Sequence, residues 1–217
     1  MPDELETALR RAALGLPGAG DAPTADLPRR AQAAGLLDVG YTTVDSPLGP
    51  LLLAATERGV VRLAFDTSDH DAVLEQLAGR LSPRVLEAPR RLDPARRQLE
   101  EFFLGSRRRF DVPLDWALVD GFRRRVLEAT AGVPYGGSTT YAAVATQAGS
   151  PRAVRAAGTA LAVNPLALFV PCHRVLRAGG AVGEYAGGTE RKRWLLELER
   201  SGEPPSRSGS DAGGTAT

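Results

Sequence analysis

Apolar and polar positions along the chain fall into four zones. Leu5, Leu9, Ala12 and Leu16 recur at helical spacing and predict a short amphipathic helix over 3–16. The stretch 15–30 (GLPGAGDAPTADLPRR) is rich in Pro, Gly, Ala and Asp and reads as a flexible linker. Over 39–65, three apolar runs are separated by the turn signals Ser46-Pro47-Leu48-Gly49 and Glu57-Arg58-Gly59, the pattern of a small antiparallel sheet. Val73, Leu74, Leu77 and Leu81 then share one face of a predicted helix over 70–81, with His70 before it as a surface or capping residue. A second helix is predicted over 93–104, with Asp93 as N-cap, Pro94 at its first position, and Leu99, Phe102 and Phe103 turned inward.

From 121 to 200 the pattern becomes mostly helical. Tyr141, Val144 and Ala145 mark a short helix over 139–148, which Gly149 ends. Ser150 and Pro151 are good N-cap and first-position residues for a second helix over 151–162. The two together predict a helix–turn–helix. The second helix (PRAVRAAGTALA) is slim and carries only Arg152 and Arg155 as long polar residues. A major-groove reader needs Asn, Gln and Arg for base edges, so this surface suits close, sequence-neutral packing in a minor groove. The tail, 201–217, holds no large apolar residue and is expected to be disordered. The expected organisation is an N-terminal helix and linker over 1–37, a small α/β domain over 38–115, a mainly helical domain over 116–200 and a tail over 201–217. The fold class is α+β.

Composition adds exclusions. The 217 residues suffice for a sizeable core. One cysteine, Cys172, forbids an intrachain disulfide, and with two histidines a structural Cys/His zinc site is excluded. No apolar run approaches the roughly 20 residues that cross a bilayer. The start of the chain, MPDELETALRR, lacks the apolar core of a signal peptide. A cytoplasmic protein without membrane contact is expected, and a lone thiol suits a reducing compartment. The net charge of +1 hides an asymmetry. Positions 1–120 hold 15 basic and 19 acidic residues, whereas 121–200 hold 11 and five. A basic C-terminal half points to a polyanionic partner.

The candidate chemistry sits in NPLALFVPCHRV, residues 164–175. A buried apolar run delivers Pro171 and then the sole cysteine, followed at once by a histidine. His173 and Arg174 are expected to lower the thiol pKa and favour the thiolate nucleophile. Glu199 lies on a final helix (TERKRWLLELER) whose Trp194, Leu195 and Leu198 face the core, placing a carboxylate where it can orient a histidine.

Residues 121–199 resemble the catalytic domain of the O6-alkylguanine-DNA alkyltransferases. The resemblance rests on VPYGGSTTYAAVA, GSPRAVRAAG, NPLALFVPCHRV, GAVGEYAGG and ERKRWLLELE. Residues 39–110 resemble that family's ribonuclease-H-like N-terminal domain in strand–helix pattern alone. The resemblance implies direct-reversal DNA repair: one alkyl group passes from O6-alkylguanine in duplex DNA, with O4-alkylthymine a further candidate, to Cys172. The reaction occurs once per molecule, with no cofactor and no metal, on a monomer.

It implies roles as well. His173, held by Glu199, takes the thiol proton through a water, and Asn164 braces the cysteine loop. Tyr141 bonds the flipped guanine, backbone groups of Cys172, Val175 and Ala186 read its edge, and Gly183, Tyr185 and Gly187 shape the loop around the pocket. Arg155 fills the gap left in the duplex, with Arg152, Ala156 and Thr140 beside it on the DNA. Glu184 at the pocket loop and Arg123 after Phe122 depart from the family's commoner residues. The alternative is a non-catalytic binder of alkyl lesions, against which the presence of Cys172 counts. A cysteine hydrolase would turn over, and a sequence-specific helix–turn–helix regulator would not carry so slim a second helix.

Overall fold

The computed structural model describes residues 30–205 apart from Gln32 and Thr67. The expected helix over 3–16, most of the linker and the end of the tail lie outside those residues.

Three strands form as their alternation demands: β1 (Val39–Val44), β2 (Leu51–Thr56) and β3 (Gly59–Phe65). They make an antiparallel meander with Tyr41 opposite Ala54 and Leu53 opposite Leu63. A fourth strand, β4 (Val85–Glu87), joins β1 in parallel, so the sheet order is β3-β2-β1-β4. Sequence patterning does not reveal this short edge strand, because three half-exposed residues carry almost no periodicity. The crossover to it is α1 (His70–Arg80). Asp69, not His70, caps that helix, accepting the amides of Asp71 and Ala72. Val73 and Leu77 are buried against the sheet, while Leu74 and Leu81 are half-buried.

The helix over 93–104 is α2 (Asp93–Phe103), buried through Leu99, Phe102 and Phe103. Its expected cap is corrected. A 3-10 turn, Pro89–Leu92, runs straight into it, so Asp93 is already helical and its carboxylate accepts from Arg96 Nη1 at 2.8 Å.

The second half holds α3 (Gly121–Ala131), α4 (Tyr141–Gln147), α5 (Val154–Ala162) and α6 (Thr189–Ser201). The helix–turn–helix is α4–α5, and it packs on α3. Its second helix begins three residues later than the Ser150-Pro151 signal predicts. Residues 150–153 form a turn closed by Ala153 N–H donating to Ser150 O, and Ala153 is the helix cap. A two-stranded parallel pair, β5 (Thr139–Thr140) with β6 (Val175–Leu176), ties the start of α4 to the chain just after Cys172.

The two halves share one core. Leu51, Leu53 and Phe65 of the sheet pack in the same cluster as Leu127, Val144, Ala157, Leu166 and Leu195 of the helical half. The backbone stitches them as well. Leu63 N–H donates to Pro165 O at 2.7 Å, and Val60 N–H donates to Pro113 O at 2.9 Å. The sheet domain thus buttresses the loop that carries the cysteine.

Candidate active site and nucleic-acid interface

Asn164 stands just past α5 and organises the cysteine loop. Its Nδ2 donates to Val170 O at 3.0 Å and to Cys172 Sγ at 3.2 Å, and its Oδ1 accepts from Leu166 N–H at 2.9 Å. All three side-chain bonds are buried, where an unmade partner is costly. The loop between turns sharply at Leu168, a buried residue with φ of 70°, in the left-handed region a branched side chain rarely occupies. The apolar run 166–170 anchors this strained turn in the core, and Cys172 leaves it with its thiol against the Asn164 amide.

His173 and Glu199 meet as expected. Nε2 of His173 lies 2.8 Å from Oε1 of Glu199, and both side chains are essentially sealed from solvent. Glu199 also accepts from Gly136 N–H and, through both oxygens, from Arg174. Burial alone would raise the pKa of this carboxyl. The hydrogen bonds from His173 and Arg174 outweigh it and hold the group at about 2. An ionised Glu199 accepts only, so it fixes the proton of a neutral His173 on Nε2 and leaves Nδ1 as the basic nitrogen. Nδ1 is buried and has no hydrogen-bond partner among the described residues. Burial pushes the His173 pKa down, against the pull of Glu199, so the ring is neutral near pH 7.

One expectation about the thiol is corrected. Burial pushes the Cys172 pKa up, with the Asn164 amide and the Lys192 ammonium offsetting it in part. The resting group is a thiol. Arg174 does not face it: the guanidinium is spent on Glu199 and on Val133 O. The cation that acts on Cys172 is Lys192, the only lysine in the chain and fully buried. Its Nζ donates to Val175 O at 2.6 Å and sits 5.9 Å from the centre of the Tyr141 ring. Lys192 is easily passed over in the sequence because it lies in a charged run that looks solvated. The helical phase was the available signal, since Lys192 shares the buried face of α6 with Leu195, Leu198 and Glu199.

Cys172 opens into a cavity of about 500 Å³. Thr140 and Tyr141 at the start of α4 form one wall, Arg155 and Gly158 of α5 another, and Tyr185 and Glu184 a third. Thr140 caps α4 by accepting from Ala143 N–H. Tyr185 packs edge-on against the His173 ring, and its hydroxyl is buried without a partner among the described residues. Gly183 leaves room for the Tyr141 hydroxyl. A Cβ there would lie 2.6 Å from the Tyr141 hydroxyl. Arg177 also lines the cavity and was missed in the sequence, where it reads as a loop residue.

The remaining predicted residues sit around rather than in this cavity. Val175 is buried behind it with its carbonyl held by Lys192. Ala186 lines a neighbouring cleft. Arg152 and Ala156 are exposed, the first in the turn before α5 and the second on that helix.

A thiol with a histidine–carboxylate pair, opening into a cavity walled by the second helix of a helix–turn–helix, defines a class: DNA-binding proteins whose chemistry is done by a cysteine. Comparison with known proteins narrows it. Residues 121–201 match the 6-O-methylguanine DNA methyltransferase DNA binding domain, and residues 39–116 match the ribonuclease-like domain of the same proteins. The methylated-DNA–protein-cysteine methyltransferase of Mycobacterium tuberculosis is 40% identical over 166 residues, covering 76% of this chain and 95% of the relative. The constitutive enzyme of that name from Bacillus subtilis is 39% identical over 164 residues, 74% and 94% of the two chains. The crystal structure of Mycobacterium tuberculosis OGT in complex with DNA superposes with a TM-score of 0.65 at 40% identity, over 76% of this chain and 95% of that one. The chain belongs to the methylated-DNA–protein-cysteine methyltransferase family.

Proposed function

We propose that this protein repairs DNA by direct reversal, moving the alkyl group of O6-alkylguanine from an extruded nucleotide to its own Cys172. The observation that carries this reading is Cys172 lining a cavity of about 500 Å³, ample for a guanine base, with its Sγ hydrogen-bonded to Asn164 and the His173–Glu199 pair next to it in the chain.

The alkylated oxygen of guanine is out of reach inside a stacked duplex. Extruding the nucleotide costs a few kcal/mol, least where the damaged base already pairs poorly. Arg155, exposed on α5 at the cavity edge, fills the vacated space, while Arg152, Ala156 and Thr140 lie against the backbone. Inside, Tyr141 and Tyr185 offer phenol hydroxyls. Burial raises both their pKa values, so each remains a donor at neutral pH.

In the reaction the Sγ lone pair forms the new S–C bond as the C–O6 bond breaks. The thiol proton passes to His173 Nδ1 through a bridging water, and the leaving guanine oxygen is stabilised by the Tyr141 hydroxyl. Lys192 and the Asn164 amide steady the sulfur as its negative charge grows. The elevated resting pKa of Cys172 means that the thiolate forms only as the proton is drawn off. The product is a thioether, which no side chain in the cavity can cleave, so each molecule acts once. The duplex is bound by a monomer, with no membrane and no cofactor involved.

A titration tests this. A duplex carrying one O6-methylguanine, held in excess over protein, should lose lesion only up to one equivalent of protein and then stop. Continued turnover would overturn the acceptor reading. Tight lesion binding with no loss would favour the non-catalytic binder.

A further inference from the structure

A second cavity, of about 440 Å³, lies in the junction of the two domains. Arg62 of β3, Arg80 at the end of α1 and Arg123 in the first turn of α3 all line it. Ser68, Gln76 and Asn164 supply its other polar side chains, and no carboxylate lines it among the described residues.

The three cations are under-compensated. The Nε of Arg62 is buried with no hydrogen-bond partner among the described residues. Burial lowers the pKa of that guanidinium, and no carboxylate offsets the effect. Among the described residues Arg80 donates to Leu118 O, a neutral acceptor. The run Arg123-Arg124-Arg125 is instructive, because its members are used differently. Arg124 pairs with Glu128, and Arg125 donates to Ala148 O and stacks on Phe122. Arg123 forms no ion pair among the described residues. It also stands in the first turn of a helix, where the dipole disfavours a cation and favours an anion. Like charges converging on a polar cavity repel, and a bound anion reverses the sign of each of these interactions.

We propose that this cleft is a phosphate-group binding site, separate from the cysteine cavity, in which Arg62, Arg80 and Arg123 clamp the oxygens of one phosphate-bearing ligand across the domain junction. Planar guanidinium forks suit an oxyanion better than a halide, and three of them call for the several oxygens and the higher charge of a phosphate group. The ligand is either a phosphodiester of bound DNA or a free phosphate compound, and the chemistry of recognition is common to both. Because Asn164 belongs to both this cleft and the cysteine loop, occupancy also braces the thiol's support.

Calorimetric titration of the full chain with inorganic pyrophosphate at low ionic strength tests the proposal. Saturable one-to-one binding is expected. Arg123→Gln, at an exposed position, should weaken it by about tenfold or more, the loss of one charge-assisted contact. Its melting temperature without anion should not fall, and its methyl transfer from the free O6-methylguanine base in phosphate-free buffer should stay unchanged. Arg80→Gln gives an independent check should Arg62→Gln fail to fold. No saturable heat, or binding undiminished in both the Arg123 and Arg80 variants, would overturn it. A salt series with undamaged duplex then assigns the source. A slope reduced by about one in Arg123→Gln identifies the DNA backbone. An unchanged slope in Arg123→Gln, beside its weakened pyrophosphate binding, identifies a free phosphate ligand.

Discussion

At the scale of single residues, the site depends on Glu199 more than on any other charge. It is 6% exposed, receives His173 and Arg174 together, and keeps both from being unpaired buried donors. Replacing it by Gln leaves the Arg174 cation buried without an anion, at a cost of about 3–5 kcal/mol. Glu199→Gln should therefore lower the melting temperature as well as slow transfer. Its pH dependence has a definite sign. The folded pKa of about 2 lies below the ordinary 4.5, so Glu199 contributes stability above that ordinary value and loses it as pH falls toward 2. Denaturant midpoints should fall over that interval in the native protein, and the fall should be shallower in Glu199→Gln. Equal acid sensitivity in the two would contradict this account. Cys172 and His173 were legible in the sequence because Cys and His are rare in this chain and stand side by side after an apolar run; Glu199 was legible through its place beside Leu195 and Leu198 on the last helix. Lys192 was hidden in a charged run that looks solvated, and the true partner of Arg174 was hidden because ion pairing across 25 residues leaves no local mark.

At the scale of elements, α5 shows how a helix can be shaped for approach rather than for base reading. Ala157, Ala160 and Leu161 bury one face, and the opposite one offers Arg155 with little bulk around it. The Ala-rich pattern announced this helix, but its start did not follow from Ser150-Pro151, since the turn 150–153 satisfies its own backbone first. If Arg155 serves extrusion, Arg155→Ala should slow repair of a duplex lesion by about tenfold or more, in proportion to the lost compensation for unstacking. Reaction with free O6-alkylguanine base should change little. Equal slowing on both substrates, measured in parallel rate assays, would remove Arg155 from that role.

At the scale of the whole molecule, the sheet domain and the helical domain are one mechanical unit. Periodicity marked the strands and helices of each, yet a shared core is invisible to it: Phe65 packs edge-on against Tyr185, a contact between segments far apart in the chain. The join is tight at Gly59. Its φ is +137°, and an added Cβ would stand 2.2 Å from Pro113 O, on the segment that leads from one domain to the other. Gly59→Ala should destabilise the fold by about 2 kcal/mol or more. Both domains should still unfold in a single transition, read by far-ultraviolet and near-ultraviolet circular dichroism together. Two separated transitions in the native protein would show that the shared core does not couple them.

The central claim, that Cys172 is itself the alkyl acceptor, is met most directly by the intact mass of the protein after incubation with a duplex bearing one O6-methylguanine. The account predicts a gain of about one CH₂ per molecule (a methyl replacing the thiol hydrogen), reaching one and going no further, and no gain in Cys172→Ala. A native protein whose mass is unchanged after the lesion has disappeared, or a variant that gains the same mass, would contradict it.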